Sequence, residues 1–269
     1  MKSFPLFLFT AGLAASLVST SASAQSSPTG RTAPTLHVSG AYRASYFDLH
    51  PELTKREFEE FAGEAGSILR FRQLGDTTPL GKGKVDISVQ FTSTSIDETK
   101  GAWNNTMSHP TANSYLGRSI SFPRLVARVG ISNRVDVGAW GGFDPRSNYG
   151  LAGIETKILV LSQESGKPVS VSIRPSVASL FGPAEVWAAN ASVDVSVSRA
   201  IRNFAPYVGV ATTASVAGER STDVDFDPAT ATASVVYAGV SYRLRGFQLS
   251  VEAEKGALVS YGVRIGRRF

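Results

Sequence analysis

Ala257-Leu258-Val259-Ser260-Tyr261-Gly262-Val263-Arg264-Ile265-Gly266-Arg267-Arg268-Phe269 ends the chain. Ala257, Val259, Tyr261, Val263, Ile265 and Phe269 fall on one face of an extended strand, interrupted only by Arg267. Ser260, Gly262, Arg264, Gly266 and Arg268 fall on the other. Successive side chains of a strand point to opposite faces, so the stretch reads as a strand with one apolar and one polar side. The pattern recurs upstream. Val85, Ile87, Val89 and Phe91 alternate with Asp86, Ser88, Gln90 and Thr92. Ala191, Val193, Val195 and Val197 alternate with Ser192, Asp194, Ser196 and Ser198, and Phe247, Leu249, Val251 and Ala253 with Gln248, Ser250, Glu252 and Glu254.

Working outward, period-2 segments broken by turn residues predict strands at 36–47, 66–73, 84–95, 119–131, 134–142, 150–161, 168–179, 187–199, 206–217, 231–243, 247–255 and 257–269. The fold class is therefore all-β: a transmembrane, antiparallel, up-and-down β-barrel of about 12 strands, an even number as single-chain bacterial barrels require. Most segments are long enough to cross a tilted bilayer, which takes about 9–11 residues. Connection lengths agree. If Phe269 ends at the periplasm, the connections 132–133, 162–167, 200–205 and 244–246 are all periplasmic and short, whereas 96–118, 143–149, 180–186 and 218–230 face outside. The acidic and basic stretch 51–65, with Phe58 and Phe61 on one face, predicts a short helix. Its expected place is the first outer loop; a periplasmic element and a plug are the other placements left open.

The start of the chain is an address. Met1-Lys2-Ser3 is positive, Phe4 to Val18 is apolar, and Ala22-Ser23-Ala24 is a small-x-small cleavage site. Residues 1–24 are thus expected to be a cleaved signal peptide, 25–35 a flexible lead-in rich in Ser, Thr and Pro, and 36–269 the barrel. After Ala24 no apolar run approaches the roughly 18 residues of a spanning helix. A mean hydropathy of −0.01 fits a wall whose lipid-facing and lumen-facing residues alternate. The absence of Cys excludes disulfides and Cys-based metal sites. The net charge of +5 is spread along the chain, with no basic cluster interleaved with aromatics, which argues against nucleic acid as a partner.

On this register the inward face carries charge of both signs. The lumen-lining candidates are Arg70, Arg72, Arg124, Arg128, Asp136, Glu155, Lys157, Arg174, Asp194, Arg243, Glu252, Glu254 and Arg264, with Asp86 and Arg268 on the same face. Two readings follow. A salt-bridged interior would fill a narrow barrel and leave a structural or surface-interaction protein. A polar conduit with excess Arg would pass small anionic or polar solutes.

Motifs for chemistry are weak. Gly75 to Lys82 looks like a phosphate loop but is one residue too long, and Gly83 replaces the Ser or Thr after the Lys. Asp223, Asp225 and Asp227 could hold Ca²⁺, but Pro228 stands where a hand-type loop needs Gly. His37, His50 and His109 are the only histidines, and Ser108 beside His109 does not make a catalytic pair, which must converge in space with an orienting group. No Gly-x-Ser-x-Gly is present, so an outer-membrane lipid hydrolase is a remote alternative and no enzyme is expected. No cofactor or metal is expected either. Trp103, Asn104, Asn105, Met107, His109, Asn113 and Tyr115 enrich the long loop 97–117 in recognition-type side chains.

A soluble two-layer sandwich would also alternate. The chain end discriminates. Tyr261, Val263, Ile265 and Phe269 resemble the C-terminal signal read by the outer-membrane barrel assembly machinery, with Arg267 at the hydrophobic position two before the end. The stretch Pro123 to Gly138, with its turn Gly130-Ile131-Ser132-Asn133-Arg134, resembles a hairpin of the outer-membrane transporter barrels associated with phenol and aromatic-compound degradation. Lys167-Pro168 to Pro175 and the closing Arg268-Phe269 are similar to that group too. The resemblance spans about residues 120–269. It implies an outer-membrane location, lipid as environment and uptake of small molecules, and it carries over no binding residue. Val195→Arg, on the lipid face, should cost about 2–4 kcal/mol in a bilayer, measured by denaturant unfolding in lipid vesicles, whereas Ser196→Arg should cost much less if it faces a wet lumen.

Overall fold

A computed structural model describes residues 46–108, 117–143, 147 and 149–269. The expected signal peptide, the lead-in, nearly all of the 36–47 segment, and His37, His109, Asn113 and Tyr115 lie outside the described residues.

Ten strands close a barrel: β2 (Val85–Ser95), β4 (Ser119–Gly130), β5 (Val135–Phe143), β6 (Gly150–Leu161), β7 (Ser170–Phe181), β8 (Val186–Ser198), β9 (Phe204–Glu219), β10 (Ala229–Leu244), β11 (Phe247–Lys255) and β12 (Val259–Arg268). Each pairs antiparallel with the next, and β12 returns to β2 in the register Arg264↔Gln90 and Arg268↔Asp86. Phe269 completes the seam. Its N–H donates to Val85 O at 2.8 Å, and Val85 N–H donates to Phe269 O at 3.2 Å. The last strand is thus paired on both sides, the condition for a sheet in hydrocarbon, where an unpaired edge has no water to turn to.

The strand count is ten where the sequence predicted 12. The excess comes from two segments. Only Tyr46–Phe47 of the first is described, and it forms β1, which pairs with β3 (Met107–Ser108) in a separate two-stranded sheet and not in the wall. Residues 66–73 are no strand. They hold the last turn of helix α1 (Lys55–Leu69) and the start of an extended run. The alternation of Leu69 and Phe71 with Arg70 and Arg72 arises because that run crosses a polar lumen, burying Phe71 between charged neighbours, and not because it has two sheet faces.

The helix sits before the barrel strands, not in a loop between them. Thr54 caps it in a reciprocal box: Glu57 N–H donates to Thr54 Oγ1 at 3.3 Å, and Thr54 N–H to Glu57 Oε2 at 2.9 Å. Phe58 and Phe61 are buried, as their spacing predicted. Phe61 meets Trp103 edge-on at 5.4 Å, from the short helix α2 (Gly101–Asn104), and Phe58 stacks on Phe226 at 5.6 Å. α1 leans on the inner face of β8, β9 and β10. At Gly66 a Cβ would stand 2.4 Å from Ser215 Cβ, so only the missing side chain lets helix and wall touch.

The connections 131–134, 162–169, 199–203 and 245–246 all fall at the end that carries Phe269. The tightest, Arg245-Gly246, has positive φ at both residues (47° and 87°), the mirror-image turn whose twist suits a two-residue hairpin. The three longest of the rest, 96–118, 144–149 and 220–228, fall at the other end together with the short 182–185 and 256–258, and that end is the outer one by the usual disposition of such barrels. Val89, Leu125, Ile154, Val193, Val208, Val251 and Ile265 point outward and are exposed around the wall, forming an apolar belt. Gly66→Leu should push α1 off the wall and cost about 1–3 kcal/mol, seen as a lower denaturant midpoint with the barrel's boiling shift on SDS gels retained.

Candidate functional site: a plugged lumen

The chain after α1 runs through the barrel. Arg70 to Leu80 joins no sheet, and the wall binds it step by step from the outer end to the periplasmic one. Arg72 donates to Thr94 Oγ1 at 3.0 Å and Ser260 Oγ at 2.8 Å. Gln73 accepts from Ser196 Oγ at 2.9 Å and from Tyr237 OH at 3.3 Å. Leu74 N–H donates to Glu252 at 3.2 Å, Thr77 N–H to Ser198 Oγ at 3.2 Å and Leu80 N–H to Asp136 at 3.0 Å. The run then turns into β2 at the periplasmic end, where Lys82 N–H donates to Asn133 Oδ1 at 3.3 Å. Of the three placements open for the 51–65 helix, the structure gives a plug.

Arg124, Arg128, Asp136, Glu155, Lys157, Arg174, Asp194, Glu252, Glu254 and Arg264 sit on wall strands with buried side chains, and Arg243 is partly buried nearer the periplasm. Arg70 and Arg72 reach the same interior from the plug, not from a wall strand as their alternation had implied. Arg70 is the hub. Its guanidinium donates to Asp194 on β8 at 2.7 Å and to Glu254 on β11. Arg72 lies 3.5 Å from the other Glu254 oxygen. Glu155 joins Arg128 and Arg174, the latter at 3.0 Å. Lys157 pairs with Asp136 at 2.9 Å and Arg264 with Asp86. Arg243 grips both oxygens of Asp76, at 2.6 and 2.7 Å.

Arg124 holds a different partner, the C-terminus of α1. It donates to Ile68 O at 2.5 Å and Arg70 O at 3.0 Å, and its guanidinium lies 4.6 Å over the Trp140 ring. Orphan carbonyls at a helix end carry partial negative charge, so an arginine there is compensated without a carboxylate. Phe71 is the plug's apolar anchor. Arg128 and Arg174 lie over its ring at 5.5 and 5.4 Å, and Trp140 is 5.7 Å away. Both amide atoms of Gln90 and Nη1 of Arg72 are buried without a protein partner among the described residues.

Two spaces flank the plug. At the outer end Phe47, Phe61, Trp103, Met107, Phe122 and Tyr149 line a small apolar pocket of about 30 Å³. At the periplasmic end a cavity of about 670 Å³ lies between the plug at Thr78 to Gly81 and the turns that follow β4, β6 and β8.

Sequence reasoning missed Phe71, Gln73 and Asp76 as site residues. Asp76 was hidden in the phosphate-loop lookalike, and its only signal was a lone carboxylate among neutral residues. The phosphate-loop lookalike, Gly75 to Lys82, is the lower part of the plug. In the 97–117 loop, the described residues fold back on α1: Trp103 Nε1 donates to Glu64 at 2.5 Å and Asn105 Nδ2 to Glu57 at 3.3 Å. Asp223, Asp225 and Asp227 are exposed, and among the described residues no His, Asp or Glu group is arranged to hold a metal. The expectation of a wet lumen at Ser196 is corrected. Its side chain is 1 % exposed and wedged between Ser172 and Gln73, so an arginine there would collide with the plug.

A closed antiparallel wall with an apolar belt outside and paired charge inside is an outer-membrane β-barrel. No protein-family model and no curated protein matches the sequence. Among solved structures, the chain is similar to an outer membrane channel from Pseudomonas putida F1, at 12 % identity and TM-score 0.42 over 72 % of this chain and 98 % of that one. It is similar to OprG from Pseudomonas aeruginosa, at 10 % and 0.34 over 72 % and 99 %, and to Ail from Yersinia pestis in complex with a heparin analogue, at 12 % and 0.32 over 70 % and 99 %.

Glu155→Ala leaves Arg128 and Arg174 buried against each other. It should cost about 3–5 kcal/mol, against about 1 kcal/mol for removing an exposed acid such as Glu164, both read from unfolding midpoints in lipid vesicles.

Proposed function

We propose that this barrel is a gated passage for small solutes across the outer membrane, seen with its plug in place. One observation carries the reading: the lumen is closed by Arg70 to Leu80, a run that belongs to no wall strand, so the path can clear without breaking any strand pair. The pocket above and the cavity below lie on the same path. We propose no catalytic role; the interior charges are engaged with one another and with the plug. Lipid is the environment of the wall, and the barrel assembly machinery is the proposed partner in insertion.

The filled interior favours a second reading. Arg70 by itself ties the plug to two strands, and drawing it out would leave buried carboxylates short of a partner, a large cost to any opening. The barrel would then be a structural or surface-interaction protein with a permanently sealed lumen.

Single-channel recording in planar bilayers separates the two. The intact protein should show brief, infrequent openings. Phe71→Ala, which removes the plug's apolar anchor and costs about 3–5 kcal/mol of packing, should raise the open fraction about tenfold or more. A Phe71→Ala protein that keeps its boiling shift and stays electrically silent would sink the channel reading in favour of the sealed barrel.

A further inference from the structure

The cavity of about 670 Å³ at the periplasmic mouth has a size typical of small-ligand sites. Its lining is electrically lopsided. Lys84, Arg134 and Arg243 face it with a single carboxylate, Glu164, and Asn133 and Gln163 add amides. Its apolar wall comes from inward residues such as Leu159, so it opens on the lumen side of the barrel and away from the lipid face.

Arg243 ties this cavity to the plug. Its Nη2 holds both oxygens of Asp76, while its Nε is buried and has no protein partner. Asp76 does not rely on Arg243 alone. Gln248 Nε2 donates to it at 3.3 Å and Thr78 N–H at 2.8 Å. A planar guanidinium carries five donors, and here Nη2 is taken by the plug while Nη1 makes no hydrogen bond among the described residues.

We propose that this cavity binds a small free oxyanion, a carboxylate or a phosphate, held by Lys84, Arg134 and the unengaged Nη1 of Arg243. Asp76 is then a built-in competitor. It stands where part of the ligand's charge is wanted, so ligand and plug share one arginine. A bound anion draws Arg243 away from Asp76 and weakens the periplasmic anchor of the plug. The site stands apart from the channel reading, because binding requires no passage.

The test is isothermal titration of the full chain, in dodecyl maltoside micelles, with inorganic phosphate against glycerol as a neutral control. Phosphate should bind and glycerol should not. Arg134→Ala and Lys84→Ala are exposed positions that leave the fold intact, and each should weaken binding about tenfold, the loss of one charge-assisted hydrogen bond. Asp76→Asn should tighten binding about three- to tenfold, since it removes the competing charge. That opposite sign is specific to a shared arginine. No phosphate binding by the parent chain, equal binding by Arg134→Ala and Lys84→Ala, or weaker binding by a folded Asp76→Asn overturns the proposal. If Asp76→Asn does not fold, the other two variants decide it. Repeating the titration in phosphatidylglycerol nanodiscs identifies the source: retained affinity assigns the site to a free solute, and lost affinity assigns it to a lipid headgroup and overturns that assignment. A chain that binds phosphate yet never conducts overturns the channel and keeps this site.

Discussion

A ten-stranded wall in hydrocarbon must turn its polar side chains inward, and a lumen this narrow lets them meet each other. The contact on which the rest depends is Arg70 between Asp194 and Glu254. Without it Asp194 would be buried unpaired and Glu254, three strands further round the wall, would keep only Arg72, a far larger loss than the pair's own net value. With it, the segment that fills the barrel is also what neutralises the barrel. Plug and wall are therefore one polar core, the inverse of a soluble fold.

The outward half of this design was readable residue by residue. Val85 to Phe91, Ala191 to Val197 and Val259 to Ile265 alternate cleanly because each strand has one lipid face, where charge is costly in the middle of the bilayer. The inward residues Arg124, Glu155, Asp194 and Glu254 were legible by the same parity. Parity fails where there is no sheet. Arg70-Phe71-Arg72 alternates like a strand, since an extended chain in a charged tube also needs one apolar contact and two polar ones. Period-2 reports two environments on two sides of an extended chain, and a strand is only the commonest cause.

Which charge meets which was not legible at all. Arg124 looked like Arg128, yet one caps a helix and the other pairs with Glu155. The difference depends on α1 entering the lumen, a tertiary fact with no local trace. Asp76 shows the same limit. In the sequence it is part of a turn-rich stretch, and its meaning comes from Arg243, 167 positions away.

Such separations bear on how the molecule is made. Arg70 and Glu254 are 184 residues apart, and the wall that encloses Arg70 has no closed circumference until β12 meets β2. A chain already sealed would have to admit its own interior segment through an end. The simpler order has the run from Arg70 to Leu80 lying in an open, curled sheet when the final seam zips shut. Assembly then has one late, non-local step, slow by the usual cost of long-range pairing. The molecule is laced like a shoe around its tongue: the order of threading, as much as the strength of any contact, decides whether the finished barrel is filled.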